Sequence, residues 1–401
     1  MARLVLKFGG TSMAGPERIA ASAAIAAHEA AQGHQVALVV SAMAGETDRY
    51  LECARALGGG LGEVETDTAL AAGEQAAAAL MALALKQQGL KARAILAWQL
   101  PIAADGAPGA ARITGIDATL LEACLADGVI PVVAGFQGLG PDGRLVTLGR
   151  GGSDLSAAAI AAAIGADCDI YTDVDGVFTT DPRIEPAARR VARISHDEML
   201  ELAAMGAKVL QTRSVEYAKA RGVALRVKSS FAPPGEAQGT EVLAADRLAE
   251  RRIVSGIAYA RAQARLSVPG LDTSAEAPGR VFAALAGAGV HVDMIVQGLA
   301  RSGGHNLEFS VETRDLPAAL AALSGFSAVS HETGLAKVSV VGTGLRGRAD
   351  VARTLYGVLE AERIAVRMVA TSEIKISALV DEDALERAVR ALHAAYRLDE
   401  A

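Results

Sequence analysis

From the N-terminus to about residue 228, short apolar runs alternate with longer stretches of helical periodicity. Leu4 to Phe8, Val36 to Ser41, Ala92 to Ala97, Val129 to Ala134, Asp169 to Thr172 and Val223 to Val227 read as buried strands. Pro16 to Gly33, Ala69 to Gly89, Thr114 to Asp127, Ser153 to Gly165 and Ala207 to Arg221 read as the helices between them. This alternation predicts an α/β layer on an open, mainly parallel sheet. The turn residues from Gly138 to Val146 predict a hairpin that interrupts it.

Around Pro233-Pro234-Gly235 the periodicity stops, and residues 229–250 read as a linker. Beyond it the pattern repeats. Val281-Phe282 with Leu285 leads into Val290 to Ile295, and Leu355-Tyr356 with Leu359 leads into Ile364 to Val369. A strand opens each unit, at Val254 to Val268 and Ala336 to Val341, and a second strand and helix close it. Two tandem β-α-β-β-α-β modules follow, at 251–330 and 331–401, behind a first domain at 1–228.

Composition changes this picture little. The 401 residues are too many for one ordinary core. Aromatic residues make up only 3%, so the core is built from small side chains at close helix approach. A net charge of −7 argues against a nucleic-acid partner. The three cysteines lie far apart without metal-ligand spacing, which suits a reducing compartment. The apolar stretch from Ala69 to Leu85 is interrupted by Gly73-Glu74-Gln75, so no membrane span is expected and the chain is placed in the cytoplasm. The seven histidines are scattered and read as surface or linker residues.

Four segments carry candidate chemistry. Lys7-Phe8-Gly9-Gly10 ends a strand in a glycine turn, where backbone N–H groups and a lysine can meet phosphate oxygens. It is neither a Walker A motif nor a dinucleotide fingerprint. Gly149-Arg150-Gly151-Gly152-Ser153-Asp154 opens an alanine-rich helix; Ser153 or Asp154 serves there as a cap, or the glycines and Arg150 form an anion cradle. Tyr171 to Arg183 is either a turn-rich acidic loop or a ligand loop at a strand's carboxyl end. Glu74, in an apolar stretch, either faces water or meets a cation.

Together these motifs resemble the aspartate kinases of the amino-acid kinase family, in the monofunctional form with tandem ACT domains. Ser41-Ala42-Met43, Gly73-Glu74, Thr147 to Asp154, Tyr171 to Val177, Thr180-Asp181-Pro182-Arg183, Glu198 to Leu202 and Gly206 to Leu210 follow the family's motifs in order over nearly the whole chain. The resemblance implies the amino-acid kinase fold followed by two α+β ferredoxin-like ACT modules. It implies transfer of phosphate from ATP, with Mg²⁺, to the side-chain carboxylate of L-aspartate, the first step toward lysine, threonine and methionine. Lys7 and Asp154 are the implied catalytic residues, Asp154 by positioning Lys7. Lys7, Phe8, Gly9, Gly10, Ser41, Ser153, Thr172, Asp173, Phe178, Thr179, Thr180, Asp181, Pro182, Arg183, Lys208 and Val209 would line the ATP site. Thr47, Glu74, Arg150, Gly151, Gly152 and Ser153 would hold aspartate, and no side chain is assigned to a metal.

Glu276, Val292, Asp293, Gln297, Ala365, Thr371 and Ser372 would bind an effector, with lysine or threonine as the implied inhibitors. The ACT modules imply a homo-oligomer. Pro108 replaces a family histidine before Gly109. Glu276, His305-Asn306 and Gly347 to Asp350 also depart from the usual ACT pattern. Two other readings remain open: a kinase for another acidic amino acid, and a regulatory amino-acid-binding protein whose kinase domain is vestigial.

Overall fold

A computed structural model describes residues 2–204, 210–248, 252–272, 274, 276–299 and 304–400. The chain divides into two compact units, Met1–Val177 with Arg190–Glu250, and Phe178–Arg189 with Arg251–Ala401.

The first unit runs β1 Arg3–Phe8, α1 Pro16–Ala31, β2 Gln35–Val40, α2 Glu46–Ala56, α3 Val64–Gln87, β3 Ala92–Ile95, β4 Ile102–Ala104, β5 Ile113–Ile116 and α4 Thr119–Ala126. It continues through β6 Ile130–Ala134, β7 Gln137–Leu139, β8 Leu145–Thr147, α5 Gly152–Ile164, β9 Asp167–Thr172, β10 Arg193–Ser195, α6 His196–Ala204, α7 Thr212–Arg221, β11 Leu225–Ser229 and β12 Thr240–Leu243. Eight strands form one sheet in the order β10-β12-β11-β9-β1-β2-β6-β3. Neighbours are parallel except β11 and β12. The predicted hairpin is present as β7 and β8, in a separate sheet of order β5-β4-β7-β8.

Alternation along the central strands sorts their side chains between two helix layers. Leu4, Leu6 and Phe8 pack with Val36, Leu38 and Val40 against Ile19 and Ala23 of α1 and Ala78 and Met81 of α3. Each such large aliphatic side chain contributes about 1.5–3 kcal/mol by leaving water. On the other face α5 lies against β1 and β9. It is buried from Gly152 through Ala161, and its alanines let it sit close to both the sheet and α7. Helix α3 runs unbroken for 24 residues, through the expected interruption, and on length and composition alone could cross a membrane. Half of its apolar window is buried inside this unit, as in a core helix.

The second unit contains β13 Gly256–Leu271, α8 Glu276–Gly287, β14 Asp293–Leu299, β15 His305–Glu312, α9 Leu316–Ala322, β16 Ser330–Val341, α10 Ala349–Ala361, β17 Met368–Thr371, β18 Lys375–Asp381 and α11 Leu385–Ala395. Its strands make one antiparallel sheet, β14-β15-β13-β16-β18-β17.

Three features differ from the organisation expected from sequence. The 229–250 linker contains β12, whose Thr240 and Val242 are buried in the main sheet. Proline and glycine near residue 234 end one strand without ending the domain. Second, the modules are interleaved rather than sequential. The start of β13, Gly256 to Ala260, pairs with Val341 to Lys337, whereas Gln263 to Ser267 pairs with Leu335 to Ser330. The strand shifts register near Ala262, whose φ is 54°. Ile257 consequently joins the core built on α10 and α11, and Leu266 joins the one built on α8 and α9.

Third, Phe178–Arg189 belongs to the second unit although its neighbours on both sides belong to the first. Ile184 is buried in the α10–α11 core. The Ile257 N–H donates to the Thr179 carbonyl at 2.7 Å, and the Thr179 hydroxyl lies 2.9 Å from His393 Nε2. Burial lowers the pKa of His393 and so favours its neutral ring.

Within the main sheet, the fully buried Asp169 of β9 meets Arg226 at 2.5 Å and Lys228 at 2.7 Å. Asp169→Ala leaves the half-sequestered Arg226 and Lys228 with only the longer contacts to Asp167 and Glu29, each at 4.0 Å. Denaturant titration should give a loss of about 3 kcal/mol in unfolding free energy.

Candidate active site

Strands β1, β2, β6 and β9 run parallel, so their carboxyl ends meet along one edge of the sheet. The Lys7 side chain projects from β1 toward α5, and its Nζ lies 2.6 Å from Asp154 Oδ1. Both residues are buried, at 8% and 6% exposure. A pair this dry holds its charges only because each screens the other. The turn beyond it is tight: the Gly9 N–H donates to the Tyr171 carbonyl at 3.3 Å, and a Cβ on Gly9 would lie 3.3 Å from Lys7 Nζ. The ring of Phe8, a residue expected at the nucleotide, stacks on Tyr171 at 5.0 Å inside the core.

Glu74 projects from α3 toward the same edge. Gly73 makes its approach possible, because a Cβ there would stand 2.8 Å from the Ala42 Cβ. One Glu74 oxygen accepts the Ala42 N–H at 3.0 Å. The other is buried and finds no hydrogen-bond partner among the described residues. Burial lifts the Glu74 carboxyl to about 7, opposed by the Ala42 N–H and by the charge of Lys7. The cation alternative raised by the sequence therefore fits, and exposure to water does not, at 3% accessible.

The Thr147–Asp154 segment turns from β8 into α5. Gly151 has φ 71°, and a Cβ there would lie 1.7 Å from the Gln211 side chain. A glycine is therefore required by both backbone and space. Arg150, beside it, is exposed. Gly152, Ser153 and Asp154 form the buried first turn of α5, whose N–H groups point out of the helix end. Ser153 faces Gly135, where a Cβ would come within 3.0 Å of the Ser153 hydroxyl. No side-chain cap bonds the helix start, so the capping alternative for Ser153 and Asp154 does not describe this turn.

Ser41 follows β2, and its N–H donates to the Phe8 carbonyl at 3.0 Å. Thr47 lies in the first turn of α2 and is half-buried. Thr172 ends β9 and the exposed Asp173 follows it, the two joined by a 3.1 Å hydroxyl–carboxylate bond. Phe178 to Arg183, expected in the same pocket, pack with the second unit. There Asp181 is held by Arg183 at 2.7 Å and by the Tyr259 hydroxyl at 2.8 Å, and the Arg183 guanidinium brings its carboxyl down to about 2. Lys208 and Val209 lie outside the described residues. Asp67, a buried carboxylate two turns before Glu74 on α3, went unremarked in the sequence; the signal was its recurrence on the Glu74 face of an apolar helix.

In the second unit, Glu276 opens α8, Val292 precedes β14, and Gln297 is exposed on β14 beside His305. Asp293 is engaged by the buried Lys337, whose charge offsets the effect of burial and lowers the Asp293 pKa. Ala365 is exposed ahead of β17. Thr371 and Ser372 line an open cavity of about 570 Å³ with Leu345, Arg346 and Arg348.

The site thus offers a cation beside an amide turn, a carboxylate with one oxygen lacking a partner among the described residues, and an exposed guanidinium. They can hold a phosphate and both ends of a zwitterion. The amino acid kinase family model matches residues 2–229, and an ACT domain model matches residues 338–396. The aspartokinase of Geobacillus stearothermophilus is 43% identical over 403 residues, covering 100% of this chain and 98% of the relative. That of Pseudomonas aeruginosa is also 43% identical, with the same two coverages. Escherichia coli aspartokinase III in complex with aspartate and ADP, in its R-state, superposes with a TM-score of 0.80 at 27% identity, covering 98% of this chain and 99% of that one. Its T-state complex with lysine and aspartate gives 0.75 at 27% identity, with 98% of each chain covered. The chain belongs to the amino acid kinase family, among its aspartokinases, phosphotransferases that carry an allosteric ACT region.

Proposed function

We propose that Lys7, Glu74 and Arg150 divide the binding of the two substrates. Glu74 takes the aspartate ammonium, Arg150 its α-carboxylate, and Lys7 with the Gly9 and Gly10 amides takes the β- and γ-phosphates of ATP. The observation that carries this reading is the buried, unpartnered oxygen of Glu74 in electrostatic reach of Lys7. An ammonium placed there completes the carboxylate's interactions and restores its charge.

The side-chain carboxylate of aspartate is already ionised at neutral pH, so no general base is required. Its oxygen forms the new bond to the γ-phosphorus as the bond to the β-phosphate oxygen breaks, and the electron pair leaves on ADP. Lys7 sits where negative charge spreads over the transferring group, and Asp154 holds its ammonium in place. Ser41, Thr47, Thr172, Asp173 and the amides of Gly151 to Ser153 complete the two pockets. Among the described residues no three His, Cys, Asp or Glu side chains form a metal cage. A Mg²⁺ ion would be held by the nucleotide phosphates together with one or two carboxylates, where it neutralises charge.

For the regulatory unit, lysine or threonine is the proposed effector. It is read by Glu276, Val292, Asp293 and Gln297 in one half and by Ala365, Thr371 and Ser372 in the other. The edge strand β14 exposes Ile295, Val296 and Leu299, which supports assembly with a second copy through that edge.

Lys7→Ala should lower kcat by at least about a hundred-fold with little change in the KM for aspartate. A KM effect at unchanged kcat would reassign Lys7 to ground-state binding. Glu74 must be ionised to hold the ammonium, so kcat/KM for aspartate should rise with pH through about 7. Glu74→Gln should raise KM and remove that limb; a limb surviving in the variant would assign the titration elsewhere. In steady-state assays lysine, threonine or the pair together should inhibit, and activity indifferent to all three additions would remove them as effectors.

A further inference from the structure

We propose that Asp67 is a positioning residue for the amino-acid acceptor, fixing the turn that carries Arg150 at a set distance from Glu74. This inference rests on the assignment of Glu74 and Arg150 to the two ends of aspartate.

Asp67 is fully buried on α3. Its Oδ2 accepts the Thr147 N–H at 2.6 Å and the Gly109 N–H at 2.8 Å, and its Oδ1 accepts the Thr147 hydroxyl at 2.8 Å. Three hydrogen bonds to one carboxylate, two of them from backbone, tie two separate loops to one helix. Charge-assisted bonds of this kind are short and directional. Thr147 is the last residue of β8 and lies three positions before Arg150. The loop has little other freedom: the Leu148 N–H donates to the Phe136 carbonyl at 2.8 Å, and the Ala111 N–H to the Thr147 carbonyl at 3.0 Å. Gly149 runs so close to the Gly109 loop that a Cβ on it would lie 3.0 Å from the Gly109 carbonyl. Moving Thr147 therefore moves Gly109, Gly149 and the base of Arg150 together.

Glu74 stands seven residues after Asp67 on the same helix, two turns or about 10 Å along the axis. One rigid element thus presents the carboxylate for the ammonium and grips the turn that supplies the guanidinium. The placement of the turn relative to Glu74 is thus referred to α3 itself. Asp67 touches no substrate group in this arrangement.

The test is a steady-state comparison of Asp67→Asn and Asp67→Ala with the unaltered protein. Asparagine can still accept both backbone N–H groups and can donate to the Thr147 oxygen, but it loses the charge. Asp67→Asn should fold with an unchanged circular dichroism spectrum and raise the KM for aspartate about ten-fold, the loss of roughly one charge-assisted bond. The KM for ATP and kcat should stay within about two-fold. Asp67→Ala, where it folds, should raise the aspartate KM further, so that asparagine stands as the partial rescue. An unchanged aspartate KM in Asp67→Asn, or equal rises in both KM values, overturns the proposal and leaves Asp67 a structural residue. Arg150→Ala and Glu74→Gln measured alongside separate the two levels. If these leave the aspartate KM unaltered, the underlying assignment has failed; if they raise it and Asp67→Asn does not, only the positioning role has.

Discussion

A carboxylate with one oxygen satisfied and the other dry and unpartnered is a standing cost to folding, and Glu74 carries that cost at the centre of the site. Burial opposes its ionisation more than the Ala42 N–H and Lys7 together favour it. An apolar residue in its place would avoid the penalty. The arrangement makes physical sense when the missing partner is the substrate. Binding then returns the interaction that folding left out, and discriminates against acceptors that lack an ammonium group.

The neighbouring Lys7–Asp154 pair follows the opposite logic. Its charges are matched within the protein before any ligand arrives, at 2.6 Å and nearly out of water. Asp154 lies in the first turn of α5 and Lys7 on the central strand, so the pair links the sheet to the helix end whose amides face the site. In the proposed mechanism, a preset cation of this kind needs little reorganisation as charge moves across the transferring phosphate. Helices α3 and α5 thus approach the strand ends from opposite faces of the sheet. One brings a charge waiting for its partner, the other a charge already balanced.

Much of this was legible in the sequence because the signals were local. A buried strand ending in Lys-Phe-Gly-Gly, and a carboxylate inside an alanine-rich helix, need only the physics of strands, glycine and burial to be noticed. What escaped depended on distant partners. Strand β12 hid behind a proline-glycine turn, and its place in the sheet comes from pairing with β11. Helix α2 buries none of its residues, so it left no apolar stripe to read. The interleaving of β13 and β16 is a choice of pairing register between strands some 70 residues apart, which no local pattern encodes. The Thr179–Asp181 stretch carries a recognisable motif, but the motif could not say that these residues pack with the second unit through Ile257, Tyr259 and His393. The resemblance to aspartate kinases named the family correctly, while the roles within the site had to be weighed residue by residue from burial and partners.

The central claim is that the second Glu74 oxygen binds the aspartate ammonium, and proton bookkeeping tests it most directly. With its carboxyl near 7, a sizeable fraction of Glu74 is protonated below that pH, and ammonium binding must drive the proton off. Calorimetric titration of aspartate at pH about 6.5, repeated in buffers of different ionisation enthalpy, reads that proton directly. The account predicts release of a substantial fraction of one proton per aspartate bound, abolished in Glu74→Gln. Binding without proton release, or release that persists unchanged in Glu74→Gln, would contradict it.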